Sequence, residues 1–165
     1  MRNSALFLLA GLLPVLPPSL HAQSDSVHSD SAFRELQSRG ALHMGVDQYT
    51  SAHQFETSPD GGRIELQRDV ADSTDIAQIR RHLQEIRLAF ERGDFRIPGM
   101  VHDQVVPGTA VMTERHARIR YQFRELPRGG EVRITSSDPK AIEAIHDFLA
   151  FQRREHRTDH AEHRM

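Results

Sequence analysis

The sequence contains no cysteine, which excludes disulfides, thiolate metal sites and cysteine nucleophiles together. It has no excess of either charge: 21 Lys and Arg stand against 23 Asp and Glu, for a formal net charge of −2. That balance offers no broad field to gather nucleic acid or an anionic membrane. It has no apolar run of spanning length, because Ala5–Leu16 is interrupted by Pro14 and covers about 12 residues where a bilayer needs roughly 20. It also lacks the short motifs that announce common chemistries, with neither a His-Glu-x-x-His helix nor a Gly-x-Ser-x-Gly elbow. Ser136 and Ser137 lie just before Asp138 at a strand-to-helix junction and read as turn or capping residues. No residue qualifies as catalytic, and a hydrolase is the reading with least support.

What is present begins with an export signal. Arg2 supplies the positive start, Ala5–Leu16 the apolar centre, and Leu20-His21-Ala22 ends on a small residue, so cleavage after Ala22 is expected. The product should be periplasmic or secreted. Without a cysteine behind the apolar run no lipid anchor can form, and no stable membrane attachment is expected after cleavage. Residues 23–40 form a polar, Ser-rich leader with a short helix expected from about Ser31 to Ser38, stopped by Gly40. Residues 41–157 form the domain, and residues 158–165 a flexible histidine-bearing tail.

The domain is a duplication. Gln54-Phe55-Glu56-Thr57-Ser58-Pro59-Asp60-Gly61-Gly62-Arg63-Ile64-Glu65-Leu66 aligns without a gap on Gln122-Phe123-Arg124-Glu125-Leu126-Pro127-Arg128-Gly129-Gly130-Glu131-Val132-Arg133-Ile134, with five identities. Apolar and polar residues alternate on either side of Pro-x-Gly-Gly, the pattern of a β-hairpin. A helix follows each copy. Asp72 or Ser73 can cap the first, in which Ile76, Ile79, Leu83, Ile86 and Phe90 recur at helical spacing before Gly93. Asp138 can cap the second, with Pro139 at its first position and Ile142, Ile145, Leu149 and Gln152 along one stripe.

One strand-strand-helix unit cannot bury its own apolar face, whereas two can share a sheet. The expected fold is therefore α+β, a four-stranded antiparallel sheet from two ββα repeats with both helices on one face. Alternation turns His53, Phe55, Ile64, Leu66, Ile119, Tyr121, Phe123, Val132 and Ile134 toward the helices. The connection from Asp94 to Arg115, with Pro98, Gly99, Pro107 and Gly108, reads as an irregular loop and a natural place for function.

Histidine is abundant, at eleven residues. Imidazole is the commonest side-chain ligand for zinc and copper, and a cysteine-free exported protein has few other options for them. His53 lies on an inward strand position, His82 and His146 flank the helical stripes, and His102 sits in the connection. These four are the candidate metal ligands. The competing reading makes His53 and His82 hydrogen-bonded residues at the core edge and leaves His146 and His116 solvated. The segment His43-Met44-Gly45-Val46-Asp47-Gln48-Tyr49 has copper-compatible groups, although Met44 and Val46 read better as core. His156, His160, His163 and Met165 belong to a C-terminal stretch expected to be frayed and solvated.

The outward sheet face carries Arg63, Arg118, Arg120, Arg124 and Arg133, which can receive an envelope protein or an anion. Glu56, Glu65 and Glu131 share that face and offset the charge. The face has no aromatic platform for stacking bases, so nucleic acid is not an expected partner.

Several of these segments resemble one family. They are Met44-Gly45-Val46-Asp47-Gln48, His53-Gln54-Phe55, Asp60-Gly61-Gly62-Arg63-Ile64, Ile79-Arg80-Arg81-His82-Leu83, Gly93-Asp94-Phe95, Val106-Pro107-Gly108, Ile119-Arg120-Tyr121 and Ala144-Ile145-His146-Asp147-Phe148-Leu149. Together they are similar to small secreted proteobacterial proteins with no established activity, some of which carry the name aspartate carbamoyltransferase. The resemblance places His53, His82, His102 and His146 within or beside its motifs, which favours a metal or other ligand there. The transferase name does not suit this chain, which has neither a second α/β domain nor a Ser-Thr-Arg-Thr phosphate loop.

Overall fold

The computed structural model describes residues 30–31, 33–40 and 51–158. The segment expected to be an export signal, the segment from His43 to Tyr49 and the histidines at 160 and 163 lie outside the described residues.

Two hairpins form one sheet. Strand β1 (Ser51–Ser58) pairs with β2 (Gly61–Arg68), and β3 (Ile119–Leu126) with β4 (Gly129–Ser136). The four strands are antiparallel in the order β1-β2-β4-β3. Pro59–Asp60 and Pro127–Arg128 occupy equivalent bends, as the repeat requires. The paired glycines, read from the sequence as turn residues, instead open β2 and β4. A Cβ at Gly61 would stand 2.2 Å from the Ile134 carbonyl oxygen, and one at Gly129 2.0 Å from that of Leu66. Close approach of the two central strands therefore requires glycine at these positions.

Two hydrogen bonds show that the halves are related as a pair. Ser136 N–H donates to the Asp60 carbonyl at 2.9 Å, and Arg68 N–H donates to the Arg128 carbonyl at 2.9 Å. Asp60 corresponds to Arg128 in the repeat, and Arg68 to Ser136, so each turn accepts from the end of the other half's second strand.

Among the described residues, 33–40 form helix α1. Helix α2 (Ser73–Glu91) is capped by Asp72, whose carboxylate accepts from Thr74 N at 2.9 Å and Asp75 N at 3.0 Å. The connection is not an irregular loop. It contains α3 (Arg96–His102), α4 (Thr109–Glu114) and a 3-10 turn (His116–Arg118). Pro98 is tolerated because the first turn of a helix leaves its N–H groups unpaired, and Asp103 ends α3 in the left-handed conformation at φ 53°. Helix α5 (Pro139–Glu155) is capped by Asp138, which also receives Arg115 at 2.7 Å.

Both long helices cover one face of the sheet, but each covers the other repeat's hairpin. Helix α2 lies mainly on β3 and β4, and α5 mainly on β1 and β2. The core beneath them includes Phe55, Ile64, Leu66, Tyr121, Val132 and Ile134 from the sheet with Ile79, Leu83, Phe90, Ile145, Phe148 and Leu149 from the helices. Helix α1 is joined to this body through Arg39, whose Nε donates to the Val101 carbonyl at 2.8 Å, and through Phe33, which lies 4.4 Å beneath the Arg157 guanidinium. No helix among the described residues is long and apolar enough to cross a membrane.

Candidate functional site

A cavity of about 60 Å³ lies where α2, α3 and α5 meet over the first hairpin. Four imidazoles line it: His53 from β1, His82 from α2, His102 at the end of α3, and His156 at the C-terminal cap of α5. Among the described residues, Gln152 is the one other polar residue in a wall of aliphatic and aromatic side chains, and no charged residue contributes to it. The ring centres of His53 and His156 are 5.0 Å apart, and those of His102 and His156 5.2 Å.

Each ring arrives there by ordinary secondary-structure logic. His53 pairs across the hairpin with Leu66 and shares its inward direction with Phe55. His82 precedes Leu83 on the buried side of α2 and is only 6% exposed. His102 is likewise 6% exposed. It is carried in by the short helix that the connection forms. His156 extends the buried stripe of α5 beyond Gln152 by one helical turn.

Burial sets the protonation of these rings. The apolar surroundings push His53 down to about 3, helped by the neighbouring His82, although an edge of the residue remains accessible. Burial alone takes His82 down to about 4. His102 is lowered chiefly by burial, against the opposing effects of its bond to Gln152 and the nearby Glu155. His156 is held well below the usual range by burial and then by His53 and His102. At neutral pH the cavity therefore holds four uncharged imidazoles, each with a basic ring nitrogen.

Two of those nitrogens are buried with no partner among the described residues. His102 Nε2–H donates to Gln152 Oε1 at 2.9 Å, which fixes the tautomer and leaves Nδ1 as the lone-pair atom. Nδ1 of His102 and Nδ1 of His156 are both buried without a hydrogen bond. An unpaired polar atom in such a place costs about 1–3 kcal/mol, so these positions ask for an explanation beyond packing.

The internal repeat supplies a control for that argument. When Gly62 is placed on Gly130 and Ile79 on Ile145, the counterparts of His53, His82 and His156 are Tyr121, Phe148 and Phe90. Those three aromatics pack together, with Phe90 5.9 Å from Tyr121 and 5.8 Å from Phe148, and Phe95 stacked on Phe90 at 4.4 Å, while Phe90 and Phe148 also stand in the wall of the histidine cavity. The same scaffold thus closes one side with an aromatic cluster and the other with imidazoles around a hole. Tyr121 Oη on the aromatic side is also buried without a hydrogen bond, so the difference between the sides lies in the imidazoles and the cavity they line rather than in unpaired atoms alone.

Of the four histidines singled out from the sequence, the structure brings three together. His146 is elsewhere: its Nε2–H donates to the Ser58 carbonyl at 2.9 Å. Its counterpart in the first half is Arg80, which donates to the equivalent carbonyl of Leu126 at 2.9 Å and to Gly129 at 3.0 Å. Both side chains fasten a helix to the far end of the other half's hairpin, a structural task. His116 is exposed and donates from Nδ1 to the Thr113 carbonyl. His156, read from the sequence as part of a solvated tail, is instead half-buried with its ring in the cavity wall, and Gln152 was read only as a stripe residue.

The set is not preformed as a coordination sphere: among the described residues no three His, Asp or Glu side chains stand where they could hold a metal ion. The outward arginines are largely engaged. Arg63 bridges Glu56 at 2.9 Å, Glu65 at 3.2 Å and Glu131 at 3.4 Å, Arg124 holds Glu131 at 3.0 Å, and Arg133 holds Asp60 at 2.6 Å. Glu65 and Glu131 sit opposite one another on the central strands, so Arg63 chiefly separates two facing carboxylates. Arg118 and Arg120 remain exposed. Comparison with known proteins finds no family model, no curated protein and no solved structure that matches the chain.

Proposed function

We propose that the chain is an exported, non-enzymatic binding protein that takes a transition-metal ion, copper or zinc, into the histidine cavity. The observation that carries this reading is the substitution of three imidazoles for an aromatic core at equivalent positions of a duplicated fold, with two ring nitrogens left buried and unpaired. A metal–nitrogen bond is about 2 Å, so two imidazoles on one ion place their ring centres about 5 Å apart, close to the separations of His53 and His102 from His156. Loading would turn the rings to bring their lone pairs onto one point. The Gln152 contact to His102 is of the kind that orients ligating histidines elsewhere. The arginine face supports a weaker claim, because most of its charge is spent on its own carboxylates.

Calorimetric titration of the purified protein with zinc and copper tests the proposal. One ion per chain is expected. The double variant His53→Tyr, His156→Phe, which copies the opposite side of the core, should fold and lose at least about 100-fold in affinity, or about 2.7 kcal/mol. His146→Ala should bind as the parent does. Absence of binding tighter than about 10 μM, or binding unaltered in the double variant, overturns the reading.

A further inference from the structure

We infer that the cavity selects the monovalent cuprous ion over divalent metals. This deepens the metal-binding reading and rests on it. The ground is the make-up of the wall among the described residues: four imidazoles, one carboxamide and otherwise hydrocarbon, with no carboxylate. A carboxylate is the usual companion of imidazole where a divalent ion is held, because it cancels charge as well as donating. Among the described residues none lines the cavity. The nearest charged groups acting on His102 are Arg39 and Glu155, opposite in sign, and Arg39 is turned to the Val101 carbonyl and Glu35.

The cost of taking an ion out of water rises with the square of its charge, so a dication is about four times as expensive to bury as a monocation of similar size. Two paired features fit a monocation of low coordination number. Among the described residues, the fully buried ring nitrogens without a hydrogen bond are His102 Nδ1 and His156 Nδ1, contributed by rings in edge contact at an interplanar angle of 88°. A cuprous ion is satisfied by two or three soft or imidazole donors. A tetrahedral zinc site would need four donors brought into place together, in a space of about 60 Å³.

Gln152 is then a positioning residue with a second role, since a neutral oxygen behind His102 keeps the site without anionic compensation. Replacing it by glutamate adds a carboxylate at that point with little change of shape. The experiment compares anaerobic competition for cuprous ion against a coloured copper(I) chelator with competition for zinc and for cupric ion against chelators of known strength. Expected is a cuprous affinity at least about 100-fold above that for zinc, with the gap narrowed at least tenfold in Gln152→Glu. Zinc or cupric affinity within about tenfold of the cuprous value overturns the selectivity and leaves the metal-binding reading standing. Failure of all three ions to bind overturns both. The wild-type comparison decides the inference even if Gln152→Glu does not fold.

Discussion

His82 offers a direct test of how the cavity is built, because its protonation is governed by burial alone. In the unfolded chain its imidazole titrates near 6.5, and in the folded metal-free protein it is pushed down to about 4. Above pH 6.5 both states are neutral and the residue contributes no pH dependence. As the pH falls below that value, the unfolded chain takes up a proton that the folded cavity refuses, and stability is lost by about 1.4 kcal/mol per pH unit. The loss reaches about 2 kcal/mol by pH 5 and levels off once the folded ring itself protonates near pH 4. His82→Leu keeps an apolar side chain at a position 6% exposed and removes this proton linkage. Urea unfolding of both proteins in chelator, at pH 7, 6 and 5, reads the difference. The variant should gain about 2 kcal/mol relative to the parent between pH 7 and pH 5, a shift of about 1 M in midpoint at an ordinary denaturant slope. A difference that stays flat with pH, or that moves in favour of the parent, would show that the folded protein admits the proton and that the cavity is wetter than its walls imply.

Other consequences can be measured on the same material. Asp72→Ala removes the acceptor for two backbone N–H groups at the start of α2 and should cost about 1 kcal/mol by urea midpoint. Arg80→Met should lose about 2 kcal/mol, because its guanidinium holds both Leu126 and Gly129 carbonyls, whereas His146→Ala, which loses one such bond, should lose about 1 kcal/mol. Equal losses would contradict the two-to-one count of hydrogen bonds. Gly108→Ala should destabilise by at least about 2 kcal/mol. Its φ is 79°, and the new Cβ would meet the Ala144 carbonyl oxygen at 2.0 Å. A folded variant of parental thermal stability would refute that contact.

The architecture was largely legible because the repeat repeats physical causes as well as letters. Alternation in Phe55, Ile64, Leu66 and again in Tyr121, Val132, Ile134 decides which side of each strand is buried, and Asp72 and Asp138 mark where the helices start. What did not follow was which hairpin each helix would cover, since both pairings bury the same stripes and only the connection's path distinguishes them. The helices of that connection were hidden by Pro98 and Gly99, which look like breakers until Pro98 is seen in a first turn. His156 was missed because the charged residues from Arg153 to Arg157 resemble a fraying end. The signal was nevertheless there: carrying the helix alignment two turns past Leu149 sets His156 on Phe90, a position too apolar to belong to a loose tail.

The reciprocal covering of hairpins by helices has a consequence for the parts taken singly. Each ββα half presents its greasy strands to a helix that belongs to the other, so neither is a self-sufficient unit; the arrangement is that of a swapped dimer whose two members happen to share one chain. Severing the peptide between them, at the exposed Val105, should give fragments that are unstructured apart yet reassemble when mixed. A polypeptide comprising the second half alone should associate with itself, each core then combining Tyr121 and Phe148 with His156 where the intact chain has Phe90.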